Sequence, residues 1–350
     1  MRLELRAVAL VAVAALGMGA CSSSPTGTTT NPTQTSLVPT VGGRSPKVGL
    51  AFDAGGRAPG TANELASRGL EKAAKELGVD AKEVNPQAQG ADRAQLLRQL
   101  VSEGYNPVIG VGAGYADPME TLAKEYPHVQ FVRIDGEPSA YSNVAVMSFA
   151  EQQGAFLMGV AAALKSKTNH VGFIGTNQSI ASSRSAAGFA QGARQITPNI
   201  VVDDVRLDTG VGTKGLNDPA GAKAAAQGMY RSGADIVFTS AGESYAGSFP
   251  AALEAGKLAI GAGADQYLTV ADPAWRPVIL TSMVKRVDTA VYQSIFAFKS
   301  DGKVDKRTFG LHDEGLGYAT SGGAIDATTK SKLDDYSARI GSGDLVVGQA

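Results

Sequence analysis

The chain has 350 residues, of which 43% are hydrophobic and 19% charged, and its formal net charge is −1. That length supplies about two domains of roughly 100–200 residues each, and the near-neutral balance lacks the basic footprint of a nucleic-acid binder. Its one cysteine, Cys21, excludes an internal disulfide, and the isolated His128, His170 and His312 form no metal-ligand cluster.

In chain order, residues 1–20 read as a signal peptide. Arg2 and Arg6 precede the apolar run Ala7–Leu16, which is shorter than the ~20 residues of a spanning helix. Gly19 and Ala20 then precede Cys21, and the sequence M-G-A-C is similar to a bacterial lipobox. That similarity implies a diacylglycerol thioether on Cys21; the alternative is ordinary secretion with a spectator thiol. Residues 22–46 hold 12 Ser or Thr among 25 positions, and Pro25, Pro32, Pro39 and Pro46 punctuate them. With little apolar surface to offset chain entropy, this stretch is expected to be an extended tether or a glycosylated stalk.

From Lys47 short β-branched runs alternate with helical periodicities. The run 47–52 leads into a helix beginning near Ala62, with Thr61 and Glu64 as a capping box. A strand at 80–84, a helix at 93–103, a strand at 107–112, a helix near 118–125 and strands at 130–135 and 143–149 follow. A second set comprises strands at 170–175, 200–207, 234–239 and 257–262, with helices at 184–195 and 220–231. This alternation predicts an α/β fold of two doubly wound parallel sheets, about four strands in each half. Ligands in such folds bind beyond the carboxyl ends of the strands. The loops to examine are therefore 53–60, 112–117, 135–142, 175–183, 241–247, 263–267 and 282–285.

The first of these loops has the spacing of a phosphate-binding loop at Gly55 and Gly60, but Gly60 stands where the lysine before Thr61 is needed. It is either a turn that uses glycine dihedrals, or a place where Asp53 accepts hydrogen bonds from a ligand hydroxyl or amine. Asp135, Asp265 and Lys285 repeat this strand-end placement, a pattern suited to a small polar ligand such as a sugar or nucleoside. A strand-end aspartate is equally a turn or cap residue. No G-x-S-x-G elbow supplies a hydrolase nucleophile, and no cofactor motif is present.

The segments "GLAFDAGG", "NPVIGVG", "FVRIDG", "SFAEQQGAFLMGVAAALKSKTNHVGFIG", "GFAQGARQITPNI", "NDPAGAKAAAQGMYRSGADIVFTSAG", "AIGAGADQ" and "VILTSMVKRVDTAVYQSI" are together similar to the basic membrane protein (BMP) family of bacterial lipoproteins, which includes the purine-nucleoside receptor type. The similarity runs from about Gly49 to Ile295, and more weakly over 340–347. It implies a type I periplasmic-binding-protein fold with three hinge crossovers, an N-terminal lobe of residues 47–148 plus 282–303 and a C-terminal lobe of 149–281 plus 304–350. It further implies a lipid-anchored monomer on the extracytoplasmic face that captures a nucleoside and delivers it to an ABC transporter permease, with no nucleic-acid partner. On this resemblance Asp53 and Asn63 read the base, while Asp135 and Lys285 hold the ribose hydroxyls. Two positions depart from the family pattern: Ala62 stands in place of a stacking aromatic, and Gly263 in place of a ribose-binding aspartate. Tyr245 either supplies an aromatic from the other lobe or is a surface tyrosine in a mobile loop. The competing functions are a sensor that presents its closed form to a membrane receptor, and a simple-sugar binder.

Overall fold

A computed structural model of the protein describes residues 45–58, 61–87, 90–176, 180–207 and 214–348, all within one compact unit, Val38–Ala350. The signal peptide expected at 1–20, the lipidation expected at Cys21 and most of the tether expected at 22–46 lie outside the described residues. The first set of elements is β1 (Lys47–Ala51), α1 (Ala62–Leu77), β2 (Asp80–Val84), α2 (Arg93–Ser102), β3 (Val108–Val111), α3 (Ala116–Glu125), β4 (Phe131–Ile134) and β5 (Val144–Phe149). Helix α4 (Glu151–Lys165) then leads to β6 (His170–Thr176), α5 (Ile180–Ile196), β7 (Val201–Leu207), α6 (Pro219–Ser232), β8 (Ile236–Thr239), α7 (Tyr245–Ala255), β9 (Leu258–Gly263), the single turn α8 (Gln266–Thr269) and β10 (Ile279–Lys285). There follow α9 (Val287–Asp301), β11 (Arg307–Phe309), β12 (Leu316–Tyr318) and α10 (Ala327–Ser342).

The strands form two sheets, ordered β11-β5-β4-β3-β1-β2 and β12-β10-β9-β8-β6-β7. Among the described residues every pairing is parallel except β10 with β12. Each sheet has six strands among the described residues rather than about four, and β11 and β12, at three residues each, are too short to carry a periodic signal. The chain passes between the sheets three times: after Phe149, after Lys285 and between Phe309 and Leu316. Residues 282–285 accordingly pair in the second sheet and 307–309 in the first, outside the divisions at 281/282 and 303/304 expected from the sequence.

The amphipathic helices form for the reasons their spacing gives. In α1, Ala66, Leu70, Ala73 and Leu77 share one buried stripe, and the Thr61 hydroxyl accepts the Glu64 N–H at 3.3 Å. The second half of the expected capping box goes elsewhere, since the Glu64 carboxylate pairs with Arg68 and the Thr61 N–H donates to the Ala58 carbonyl. Helix α4 is different, because 11 of its 15 residues are buried and it has no polar face. It lies against α5 so closely that a Cβ on Gly192 would come within 2.0 Å of the Phe156 carbonyl oxygen. The expectation of a loop at 241–247 also gives way, because Gly242–Ser244 form a short 3-10 turn and Tyr245 opens α7.

Candidate functional site

Strand order in the first sheet reverses between β1 and β3, whose carboxyl ends therefore flank a crevice. Asp53 stands there, two residues beyond β1. Its Oδ2 lies against Gly112, which has a φ of 96° and where an added Cβ would come within 2.5 Å of that oxygen. Glycine at 112 thus provides both the backbone conformation and the room for the carboxylate. Oδ1 accepts the Ala54 N–H at 2.8 Å and the Arg93 Nη2–H at 2.5 Å. The Arg93 guanidinium sits 5.5 Å from the Tyr115 ring centre, and the Tyr115 hydroxyl donates to the Phe52 carbonyl at 2.7 Å. Arg93 is thereby fixed behind Asp53, whose side chain stays 42% exposed.

Asn63 is buried and its amide serves the same loop. Nδ2 donates to the carbonyls of Asp53 and Gly56 at 3.0 and 2.9 Å, and Oδ1 accepts the Asp53 N–H at 2.9 Å. With both donors engaged by backbone, Asn63 holds the Asp53 turn in place.

Asp135, just past β4, has a φ of 73°, the left-handed region that short polar side chains tolerate best among non-glycine residues. Its Oδ1 accepts the Gly136 N–H at 2.9 Å, and Arg133 beneath it donates to the Glu137 carbonyl. A Cβ added at Gly136 would lie 3.7 Å from Ala113, so the Asp53 and Asp135 loops adjoin through the 112–113 turn. Oδ2 of Asp135 accepts from Lys285 Nζ at 2.7 Å. Lys285 is the last residue of β10, so this ion pair joins the strand ends of the two sheets. The same ammonium pairs with Glu151, the first residue of α4, and lies 5.7 Å from the Phe149 ring centre. Burial alone would lower the Lys285 pKa, but the charges of Asp135 and Glu151 overcome it and the net shift is upward. For Asp135 burial pushes upward, while Lys285, the Gly136 N–H and Arg133 outweigh it and hold the carboxyl below its ordinary range.

The other two sequence-derived residues sit at strand ends of the second sheet, already engaged. Asp265 follows β9 and accepts the Ser321 hydroxyl at 2.8 Å. Tyr245 follows β8, with its ring 5.2 Å from that of Phe249. Burial, and then Glu243, push the Tyr245 hydroxyl pKa up to about 12. Its packing in α7 does not match a surface tyrosine on a loop. The structure therefore brings Asp135 and Lys285 into direct contact and joins Asp53 to Asn63. Sequence reasoning missed Arg93, taken only as the start of a helix, and Glu151, whose helix has no periodic pattern. A groove of about 350 Å³ between β7 and α6, lined by Asp203, Val205 and Gly228, runs beside the middle of an edge strand, not at these strand ends. Among the described residues no group of His, Cys, Asp and Glu is placed to hold a metal ion, and no helix is long and apolar enough to cross a membrane.

Residues 47–343 match the family model Bmp, described as ABC transporter substrate-binding protein, PnrA-like. The chain belongs to this family. Its relatives include a nucleoside-binding protein of an ABC transporter, BmpA, from Lactococcus lactis, 31% identical over 84% of this chain and 88% of that one. An uncharacterized lipoprotein of Pyrococcus furiosus is 30% identical over 79% and 70% of the two chains. Among solved structures, a solute-binding protein of an ABC transporter system from Aeropyrum pernix superposes with a TM-score of 0.64 at 25% identity, over 87% of this chain and 94% of that one. A periplasmic ribose ABC transporter protein from Conexibacter woesei shares the fold, with a TM-score of 0.59 at 12% identity over 83% and 95%. The fold is thus the α/β, type I periplasmic-binding-protein architecture expected, and the Bmp family is one of ABC substrate-binding proteins rather than enzymes. Both positions expected to depart from the family pattern lie among the described residues. Ala62 is exposed at the first position of α1, and Gly263, with a φ of 94°, pairs beside Val284, next to Lys285.

Proposed function

We propose that this Bmp-family protein captures a nucleoside or related polyhydroxylated small molecule between its two sheet-centred lobes. It would act as a monomer tethered by a lipid on Cys21 at the extracytoplasmic face, and deliver the ligand to an ABC permease. The observation that carries the ligand class is the Asp135–Lys285 pair, which places a carboxylate acceptor and an ammonium donor together at the strand ends. A vicinal diol offers matching donors and acceptors. Asp53, held by Arg93 and Asn63 at the neighbouring loop, supplies an acceptor for the far end of the ligand. The name of the Lactococcus lactis relative supports a nucleoside. Calorimetric titration of ligand-stripped protein with inosine, adenosine, uridine, free bases, ribose and arabinose tests the proposal. A nucleoside is expected to bind more tightly than ribose; a protein that takes ribose or arabinose and ignores every nucleoside would establish the second reading. Ala62 favours that second reading, a simple sugar, because no ring stands there to stack on a base; Gly263 does not discriminate, since a ribose-binding carboxylate would serve both ligands.

Two substitutions follow from these geometries. Ala62→Phe adds a ring at an exposed helix start, and base–aromatic stacking is worth about 1–3 kcal/mol by analogy, so inosine affinity is expected to rise about tenfold while ribose affinity stays unchanged. Arg93→Met keeps the aliphatic stem and removes the charge-assisted bond that orients Asp53; a loss of nucleoside affinity of about tenfold is expected, within the range for hydrogen bonds to charged groups. Titration calorimetry reads both, and an unchanged affinity in Arg93→Met would remove Asp53 from the ligand site.

A further inference from the structure

We infer that Glu151 is a positioning residue, which keeps the Lys285 ammonium anchored beside the second sheet while Asp135 turns to the hydroxyl pair of a ligand. This rests on the interlobe capture proposed above.

The two carboxylates on Lys285 are not equivalent. Asp135 belongs to the first sheet and Lys285 to the second, so their bond spans the two halves. Glu151 belongs with Lys285: its helix packs on β10, where a Cβ on Gly154 would meet the Met283 sulfur at 2.7 Å, and on α5. The other oxygen of Glu151 accepts the Ser185 hydroxyl at 3.3 Å, which ties it to α5 as well. Glu151 is 12% exposed and Asp135 40%, so the first is built into the wall and the second faces the opening.

An ammonium has three donors. With Glu151 present, Asp135 can release Lys285 to a ligand, or withdraw as the lobes part, without leaving the ammonium unneutralised in a largely buried place. Without Glu151, Asp135 would be the sole counter-ion among these residues, and a ligand hydroxyl would have to break that bond to reach the carboxylate. Arg133 acts on Asp135 through its charge while donating to the Glu137 carbonyl, and Arg286 is paired with Asp288, so Lys285 is the cation hydrogen-bonded to the Asp135 carboxylate among these residues.

The test uses the full chain and two readouts. In the free protein, thermal unfolding is compared for Glu151→Gln, Lys285→Met and the double variant. If Glu151 acts through Lys285, the double variant melts no lower than Lys285→Met alone; strictly additive losses would overturn the inference. In the second readout, inosine and its 2′,3′-dideoxy analogue, which lacks the vicinal hydroxyl pair, are titrated against wild type, Glu151→Gln and Glu151→Asp. Glu151→Gln is expected to weaken inosine about tenfold, or about 1.4 kcal/mol, and the dideoxy analogue less than about twofold, with Glu151→Asp restoring part of the loss. Equal losses for both ligands would mark a merely structural residue and overturn the inference. If wild type binds no nucleoside, the nucleoside proposal falls, and the unfolding cycle alone decides whether Glu151 holds Lys285.

Discussion

Lys285→Met is expected to reduce inosine affinity by roughly a hundredfold or more, within the ~2–5 kcal/mol scale for truncating a hydrogen-bonded charged group in a binding site. Two effects combine. The variant lacks the donor that would meet the ligand's oxygens, and it leaves Asp135 and Glu151 facing a methionine. Two carboxylates that shared one cation then repel each other, so binding suffers even where the remaining ligand contacts are intact. Calorimetric titration and thermal unfolding, run on the same samples, separate the two effects. Binding within threefold of wild type would place the ligand away from the Asp135–Lys285 pair.

The same variant carries a pH signature. The Asp135 carboxyl is held below its ordinary value in the folded protein, and in the unfolded chain it titrates near ~3.9. Between those values the unfolded chain binds more protons, so the stabilisation is complete above about pH 4 and is lost as pH falls. Lys285 is shifted the other way, upward from about 10.4. The folded protein retains a proton that the unfolded chain gives up, so its stabilisation is complete below about pH 10 and is lost as pH rises through the folded value. Wild type minus Lys285→Met, measured as unfolding free energy against pH, is therefore expected to be a plateau falling at both ends. A difference independent of pH would show that the lysine stabilises by packing alone.

The parts of this molecule that were legible in the sequence are those governed by local periodicity. Strands such as 47–51 and 170–176 announce themselves by β-branched runs, and α1 by its apolar spacing. The rule that ligands lie beyond strand ends then selects Asp53, Asp135 and Lys285 before any contact is known. The pairing of Asp135 with Lys285 is a different matter, because 150 residues separate them and only the sheet orders bring them together. Asn63 shows the converse case. Its position near the loop was legible, but the backbone groups that occupy its amide were not. Helix α4 was missed for a further reason: a helix buried on every side has no polar face, so the period that identifies a surface helix is missing. Glu151 went unread because it stands at the head of that helix.

Helix α4 also provides the sharpest test of packing, since one substitution is expected to have opposite signs at two helical glycines. In an exposed or half-exposed helix, Gly→Ala stabilises by about 0.5–1 kcal/mol through helix propensity. At Gly228 of α6 a Cβ meets nothing within 4 Å, so Gly228→Ala is expected to follow that rule. At Gly192 of α5 a Cβ would lie 2.0 Å from the Phe156 carbonyl oxygen, and at Gly188 one would lie 2.2 Å from that of Gln152. These obstacles are backbone, with no flexible side chain to give way, so Gly192→Ala must push α5 off α4. The Phe156 ring packs edge-on to Tyr336, 5.6 Å away, and the Phe189 ring lies 5.5 Å from that of Phe238, so the displacement spreads into α10 and the second sheet. Overpacking of this kind costs about 1–3 kcal/mol or more, and a fall in Tm of roughly 5–10 °C is expected at the upper end for a chain this long. Ser185 lies under two turns before Gly192, and its bond to Glu151 lengthens with the same movement. Gly192→Ala should therefore also weaken inosine binding at temperatures where the protein is fully folded. If the two alanine variants shifted Tm in the same direction, the close α4–α5 contact would not exist in solution, and neither would the support it gives Glu151.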